Sequence, residues 1–113
     1  MRVINLTPHN INLDAPNKER QTFAPSGTVA RVSTLPQQPV EGFPFPVLSP
    51  VRYGAVEGLP EPQEGTFFLV SGFVAAHVKG RDDVFSPGTA PAHAPTRNEK
   101  GHIVAVRCFV QAG

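Results

Sequence analysis

The stretch Gly54-Ala-Val-Glu-Gly-Leu-Pro-Glu-Pro-Gln-Glu-Gly-Thr-Phe-Phe-Leu-Val-Ser71 joins an acidic turn to the strongest strand signal in the chain. Residues 66–71 form a nearly continuous apolar run, which is typical of a strand buried on both faces. Pro60 and Pro62 each fix one φ angle and remove one amide donor, so the acidic residues before the strand cannot join a helix. We therefore expect a shaped loop that leads into a central strand.

Short strand and turn signals continue on both sides of this segment. The apolar residues Val3, Ile4 and Leu6 predict an opening strand, and residues 11–13, in which apolar and polar residues alternate, predict a second, short one. Pro25-Ser26-Gly27 has the composition of a tight turn between two strands. Residues 97–102 predict a hairpin turn before a closing strand over residues 103–110.

One segment changes to helical spacing. Ser71 is a suitable N-cap, and Phe73, Ala76 and His77 recur at intervals that place them on one helix face. Gly80 can end the helix in the left-handed conformation. The pattern predicts about two turns of helix, with His77 as a partly packed side chain.

The segment between Leu35 and Pro50 contains five prolines, which exclude a central strand or a helix of any length. We expect a wandering connection there, from which Phe43 and Phe45 insert into the core. The segment from Thr89 to Pro95 is a second loop rich in proline and alanine.

Together these signals predict a mainly β fold, α+β at most, in a single domain over residues 1–113. The expected architecture is a small, mostly antiparallel sheet or half-open barrel with one short helix and long Pro-rich loops. A chain of 113 residues suits one core. Its 13 prolines are scattered rather than clustered, which favours ordered turns over a disordered linker.

Charge and cysteine usage exclude several classes of partner. Ten Lys and Arg against nine Asp and Glu give a net charge of +1, far below the basic excess of proteins that bind nucleic acid polymers. The lone Cys108 forms no internal disulfide and is interpreted as a buried core residue, which fits a reducing interior. Since no apolar run is long enough for a membrane span or a signal peptide, we expect a cytoplasmic protein.

The sequence contains no recognisable catalytic or metal-binding pattern. Its four histidines, at positions 9, 77, 93 and 102, lack the spacing that places two ligands on one helix face. No serine lies in a nucleophile elbow. The sequence therefore predicts no enzyme activity, no metal and no cofactor.

Small-anion recognition is the chemistry that the residues favour. Arginine side chains provide planar forks for phosphate, and a strand-to-helix junction directs free amides at an anion. The predicted site comprises three phosphate partners, two polar contacts and two backbone donors: Arg31, Arg81 and Arg97; Thr7 and His9; Ser71 and Gly72. Local structural roles are the alternative: backbone bonding in a turn for His9, simple capping for Ser71, and local pairing or solvation for Arg81.

Several motifs carry a resemblance to known proteins. They are Asn5-Leu-Thr-Pro-His9, Phe23-Ala-Pro-Ser-Gly-Thr-Val-Ala-Arg-Val-Ser33, Glu57-Gly-Leu-Pro-Glu-Pro-Gln-Glu-Gly-Thr66, Gly80-Arg-Asp-Asp83 and Gly101-His-Ile-Val-Ala-Val-Arg107. Together they resemble a family of small phage, prophage and bacterial proteins that have no assigned activity. The resemblance covers most of the chain and implies a phage-type accessory protein.

Such proteins often counter host defence, and the analogy implies an anti-defence sponge. A sponge binds and sequesters a nucleotide-like immune signal, such as a cyclic dinucleotide or an ADP-ribose derivative, without cleaving it. We expect a homo-oligomer in the host cell cytoplasm. The alternatives are a protein-protein inhibitor or adaptor that docks on a host defence enzyme through the Pro-rich loop and the Glu57 to Glu64 turn, and a virion or assembly component.

Overall fold

The computed structural model describes residues 1–113 as ten short strands, one α-helix and one 3₁₀ turn. In chain order the elements are β1 Arg2–Asn5, β2 Ile11–Leu13, β3 Gln21–Phe23, β4 Arg31–Thr34, β5 Tyr53–Glu57, β6 Thr66–Leu69, α1 Gly72–Ala75, β7 Val84–Pro87, the 3₁₀ turn Pro91–His93, β8 Thr96–Arg97, β9 Ile103–Ala105 and β10 Phe109–Gln111.

A four-stranded sheet in the order β1-β6-β7-β10 forms the centre of the molecule. Strand β6 is parallel to both of its neighbours, whereas β10 runs antiparallel to β7. Phe68, Leu69 and Val70 are at most 2% exposed, which confirms the predicted strand buried on both faces. The continuous apolar run is explained by this position, because a parallel strand in the middle of a sheet has no face toward water.

Three two-stranded antiparallel ribbons surround the central sheet: β2-β3, β4-β5 and β8-β9. Four of the six strand pairings are therefore antiparallel, and the strands do not close into a barrel. The predicted mainly β fold with one short helix is confirmed.

The hydrophobic core lies on both faces of the central sheet. Phe68 and Val70 belong to a cluster with Val74 of α1 and Val84 of β7. On the other face, Leu69 packs with residues of the β2-β3 ribbon and the end of β9. Since successive side chains of a strand point to opposite faces, β6 contributes to both layers, and so does β7 through Val84 and Phe85.

The helix is shorter than the sequence predicted. Ser71 caps it as expected, because its Oγ accepts a hydrogen bond from the Val74 amide at 3.2 Å. After one turn the bonding tightens: the amides of His77 and Val78 bond to the carbonyls three residues earlier. This change ends the α-helix at Ala75, so the prediction of two turns is wrong.

The closing strand is also divided, contrary to the prediction of one strand over residues 103–110. Strand β9 pairs with β8, whereas β10 pairs with β7 in the central sheet. Between them, the Val106 amide donates to the Asn12 carbonyl and the Val106 carbonyl accepts from the Asp14 amide. The chain crosses from one sheet to the other at this point, which interrupts the strand.

Residues 35–52 form a projecting hairpin, called the arm below. Two backbone hydrogen bonds join its sides. The Val40 amide donates to the Val47 carbonyl at 3.0 Å, and the Ser49 amide donates to the Gln38 carbonyl at 2.7 Å. Phe43 and Phe45 at its end are 60% and 67% exposed, so the prediction that they insert into the core is wrong. The hairpin bonds carry this segment away from the core.

A buried asparagine joins three segments of the chain. The Asn5 side chain is 2% exposed, and its Nδ2 donates to the carbonyls of His9 at 2.8 Å and Phe23 at 2.9 Å. Its Oδ1 accepts from the Thr7 amide at 2.9 Å and the Thr7 hydroxyl at 2.7 Å. The end of β1, the turn after it and the end of β3 are thereby fixed together.

We expect Asn5→Ala to lower the free energy of unfolding by about 2–4 kcal/mol, because it removes these bonds and leaves buried partners unsatisfied. Urea denaturation measures the change. The control is Asn10→Ala, whose exposed side chain makes the expected change smaller than about 0.5 kcal/mol. Equal stability of the two variants would contradict the role assigned to Asn5.

Candidate functional site

The carboxyl ends of two parallel strands bring part of the predicted anion site together. Thr7 lies two residues after the end of β1 and Ser71 two residues after the end of β6, and Asn5 pairs with Leu69 at these ends. The amide of Leu6 donates to the Leu69 carbonyl at 2.8 Å, which extends the pairing beyond the strands. Ligands of sheets with parallel strands commonly bind at such an edge.

Three further predicted residues lie around this edge. Gly72 is exposed directly after Ser71, and His9 is exposed two residues beyond Thr7. Arg31 begins β4 next to Ala30, whose amide donates to the Leu6 carbonyl at 2.9 Å. The Arg31 side chain is exposed. Five of the seven predicted residues therefore surround one edge of the central sheet.

Local bonds already occupy two of these polar groups. The Ser71 hydroxyl caps α1 through Val74, and the Thr7 hydroxyl bonds to Asn5 and, at 3.1 Å, to the His9 carbonyl. Ser71 therefore caps the helix, which is the structural role given above as the alternative to anion binding. Arg31 and His9 have no side-chain hydrogen bond within the chain, so they are the groups at this edge that can face a ligand.

Arg81 lies elsewhere, before the amino end of β7, and is held in an ion pair. Its Nε and Nη2 donate to the two carboxylate oxygens of Asp83 at 2.8 and 2.9 Å, and Nη2 also donates to the Pro60 carbonyl at 3.0 Å. The hydrogen bonds from Arg81 lower the pKa of Asp83 and raise the pKa of Arg81 itself. Arg81 therefore fixes the acidic turn to β7.

Arg97 is separated from the other predicted residues as well. It lies in the β8-β9 hairpin, where its Nη1 donates to the Gly101 carbonyl at 2.7 Å. None of the principal surface cavities has more than one of the seven predicted residues in its lining. Arg97 lines one cavity and Arg81 another.

The acidic turn has a defined shape and exposes several carboxylates. Besides the bond from Arg81, the Thr66 amide donates to the Gln63 carbonyl at 3.1 Å. At Gly58, φ is 80° and a Cβ would lie 2.7 Å from the Val29 carbonyl oxygen, so only glycine fits there. The exposed carboxylates are those of Glu57, Glu61, Glu64 and the neighbouring Asp82.

The arm carries the largest concentration of exposed hydrophobic side chains. Seven of the 13 large hydrophobic residues that are exposed lie within it: Leu35, Val40, Phe43, Phe45, Val47, Leu48 and Val51. Phe43 and Phe45 pack against each other at its end, with ring centroids 5.6 Å apart. Only two residues of the arm are charged, Glu41 and Arg52.

An aromatic cluster lies at the base of the arm. The Tyr53 ring is 5.1 Å from Phe73 and 5.0 Å from His77, measured between centroids. Tyr53 is 41% exposed and Phe73 is 52% exposed. His77 bonds to the Phe73 carbonyl through Nδ1, so it is partly packed as the sequence predicted. The hydrophobic surface of the arm thus continues onto α1.

The total exposed surface is large for a protein of this mass. The chain exposes 7893 Å², which is about 1,900 Å² more than the roughly 6,000 Å² expected for a compact monomer of 12.1 kDa. Its radius of gyration is 17.3 Å, against about 13 Å for a compact domain of similar length. The molecule is elongated and extends over 59 × 39 × 24 Å.

A thiol and an imidazole meet beside Gly88. A Cβ at this glycine would lie 2.7 Å from the Cys108 Sγ and 3.2 Å from the His93 Cγ. Cys108 is half-buried rather than fully buried, and the buried Nδ1 of His93 has no hydrogen-bond partner. No sequence spacing links these residues, because the 3₁₀ turn and the crossing before β10 bring them together.

No group of three or more His, Cys, Asp and Glu side chains is placed to hold a metal ion. The helical segments are too short to cross a lipid bilayer.

Comparison with known proteins finds no matching family model, no similar curated protein and no similar solved structure.

We expect Asp83→Asn to destabilise the protein by about 1.5–3 kcal/mol near neutral pH, because it removes a carboxylate that accepts two hydrogen bonds from Arg81. The pKa of Asp83 is lowered below its ordinary 3.8 in the folded protein. The stabilisation by the Asp83 carboxylate is therefore complete above pH 3.8. It is lost as the pH falls through the folded pKa. The stability difference between wild type and variant therefore narrows below pH 3.8.

Urea denaturation across this pH range measures the effect. The control is Asp82→Asn, which removes an exposed neighbouring carboxylate and for which we expect a change in stability smaller than about 0.5 kcal/mol near neutral pH. A difference for Asp83→Asn that stays constant down to the lowest pH would contradict the ion pair's assigned contribution.

Proposed function

We propose that this protein is a non-enzymatic binding protein that acts through protein-protein contacts centred on the arm. Such a protein acts as an inhibitor, an adaptor or an assembly component. The resemblance to phage proteins makes the host cytoplasm the expected place of action and a host defence enzyme one target.

The observation that carries the proposal is the exposed hydrophobic surface of the arm and its base. Four aromatic rings that are 41–67% exposed present on the order of 400 Å² of aromatic surface. Divided between the end of the arm and its base, and with the exposed aliphatic residues of the arm between them, this area is of the order of the largest hydrophobic patch of a typical monomer, about 300–600 Å². Patches of this size mark interaction sites, and aromatic residues are enriched where proteins bind one another.

The arm is also ordered before any partner binds. Besides its backbone bonds, the Gln38 amide donates to the Ser49 hydroxyl at 2.8 Å, and the Gln37 side chain donates to the Ser49 carbonyl at 2.8 Å. Five prolines restrict its backbone further. Such order lowers the conformational entropy lost on binding, so more of the contact energy contributes to affinity.

We expect the double variant Phe43→Ser, Phe45→Ser to lose a stoichiometric protein partner that the wild type retains in host lysate, because the main aromatic contacts are removed. Affinity capture followed by mass spectrometry measures this. The matched control is Val104→Ser, Val110→Ser, which removes two exposed hydrophobic residues outside the arm. Identical partners on both double variants, or no partner on the wild type, would contradict the proposal.

Sequestration of a nucleotide-like anion is a second candidate function. It is favoured by the position of Thr7 and Ser71 on adjacent carboxyl ends, with Arg31 and His9 exposed beside them. A guanidinium and an imidazole at the carboxyl edge of parallel strands suit a phosphate group. Arg81 and Arg97 contribute to this candidate only if the ligand displaces their present bonds.

For this second candidate we expect binding of a cyclic dinucleotide or an ADP-ribose derivative, detected by isothermal titration calorimetry. Arg31→Ala should weaken it at least about tenfold, the effect of losing a charged hydrogen bond. Arg107→Ala, which removes an exposed arginine elsewhere, is the control. The nucleotide should be recovered intact after heat denaturation. No heat of binding at high micromolar concentration across the panel would rule the candidate out.

A further inference from the structure

We propose that strand β10 pairs with β10 of a second copy of this chain, antiparallel and around a two-fold axis. Since β10 is an outer strand of the central sheet, this pairing joins the central sheets of two copies into one continuous sheet. The inference goes beyond the proposed function and is independent of it, because the contact uses no residue of the arm.

Strand β10 has an open edge, because only its inner side is bonded. The Ala112 amide donates to β7 at 2.8 Å, the Cys108 carbonyl accepts from the amide just after β7 at 2.9 Å, and Val110 pairs with β7 between them. The backbone groups of an antiparallel strand alternate between its two sides. The amides and carbonyls of Phe109 and Gln111 therefore point away from β7, and no hydrogen bond within the chain uses them.

The two outer strands of the central sheet differ in their protection. At the β1 edge, the Ser26 amide donates to the Asn5 carbonyl at 3.0 Å, and the charged Arg2 begins the strand. Covering segments, charges, prolines and bulges are the usual means by which proteins protect an outer strand. The three residues of β10 include no charge, proline or bulge, and Val110 at their centre is 39% exposed. An open edge of this kind binds a further strand.

The edge is self-complementary, which favours a second copy as its occupant. A two-fold axis at Val110 places Phe109 opposite the partner's Gln111, and Gln111 opposite the partner's Phe109. In this register every free amide of the edge meets a free carbonyl of the other copy.

The side chains of the strand suit the same register. The two copies of Val110 lie at a non-hydrogen-bonded position, where opposite Cα atoms are about 4.5 Å apart and side chains come closest. A hydrophobic residue that is exposed on the single chain is thereby covered by its own counterpart. Because β10 carries no charge, an identical strand brings no like charges together.

The contact leaves the arm available to another partner. The β4-β5 ribbon, which carries the arm, is bonded next to β1, where the Ala30 amide donates to the Leu6 carbonyl at 2.9 Å. Strand β1 is the outer strand at the opposite side of the sheet from β10. Dimerisation through β10 therefore does not require the surface that the proposed function uses, and the dimer carries two arms.

Size-exclusion chromatography with multi-angle light scattering tests the inference on the 113-residue chain. We expect the mass to rise toward twice 12.1 kDa as the concentration reaches the high micromolar range. Gln111→Pro removes one outward amide from each copy, and with it half of the bonds between the copies, so it should weaken the dimer at least about tenfold. The control Gln111→Ala keeps this amide and should dimerise as the wild type does. Both variants lose the side-chain bond to the Asp82 carbonyl, so they are matched in that respect.

Substitutions of Val110 provide a second test that does not alter the backbone. Val110→Lys brings two ammonium groups together across the two-fold axis and should make the chain monomeric. Val104→Lys is the control, because Val104 is 36% exposed and lies outside the contact. Far-ultraviolet circular dichroism that matches the wild type shows that the variants are folded.

Val110→Cys tests the register itself. Two cysteines at this position lie at a distance that suits a disulfide, so incubation with oxidised glutathione, which is reduced as the thiols are oxidised, should yield a covalent dimer. Val104→Cys, which carries the same native Cys108, should remain a single chain on a non-reducing gel. Equal crosslinking of the two variants would contradict the two-fold axis at Val110.

The outcomes separate this inference from the proposed function. A wild type that stays monomeric at high micromolar concentration, or a dimer that both Gln111→Pro and Val110→Lys leave unchanged, would overturn the inference. A monomer that captures a host protein through β10 would also overturn it, because the occupant would then be another protein's strand. The variant Phe43→Ser, Phe45→Ser should stay dimeric, and Val110→Lys should still capture host proteins through the arm.

Discussion

The hydrogen-bond set of Asn5 is the interaction on which the arrangement of the fold depends. Its carboxamide is buried and uses both ends of the side chain: Nδ2 binds carbonyls of His9 and Phe23, and Oδ1 binds Thr7 twice. A buried amide is stable only when it is bonded in this way. The set fixes the direction in which the chain leaves β1 and holds the β2-β3 ribbon against the central sheet.

The β4-β5 ribbon carries one irregular segment at each end, the acidic turn and the arm, and the two are held in different ways. The acidic turn is fixed to the protein by the Arg81 ion pair, by the bond to Pro60 and by the close approach at Gly58. The arm is stabilised by its own hairpin bonds and leaves its hydrophobic residues in water. Exposed hydrophobic area has an unfavourable hydration free energy, and this is the reason why the proposed binding function is centred on the arm.

The sequence pattern predicted those elements that depend on residues close together in the chain. The apolar run over residues 66–70 and the N-cap at Ser71 follow from hydrophobic spacing and side-chain bonding within a few residues. Phe43 and Phe45 were placed in the core because large aromatic residues are usually buried, a rule that fails where the chain is held away from the core by its own bonds. The predicted anion site depended on which arginines remain unpaired, and the pairing of Arg81 with Asp83 is decided by the loop between α1 and β7.

The sequence by itself determined that the chain is mainly β, which segments form β1 and β6, and that its loops are braced by proline, because these properties depend on neighbours along the chain. Only the tertiary structure decided that β1, β6 and β7 run parallel, that β1 and β6 end next to each other, and that the arm extends away from the core. These features depend on contacts between residues far apart in sequence, where hydrogen bonding and burial select one partner among many with similar local preferences.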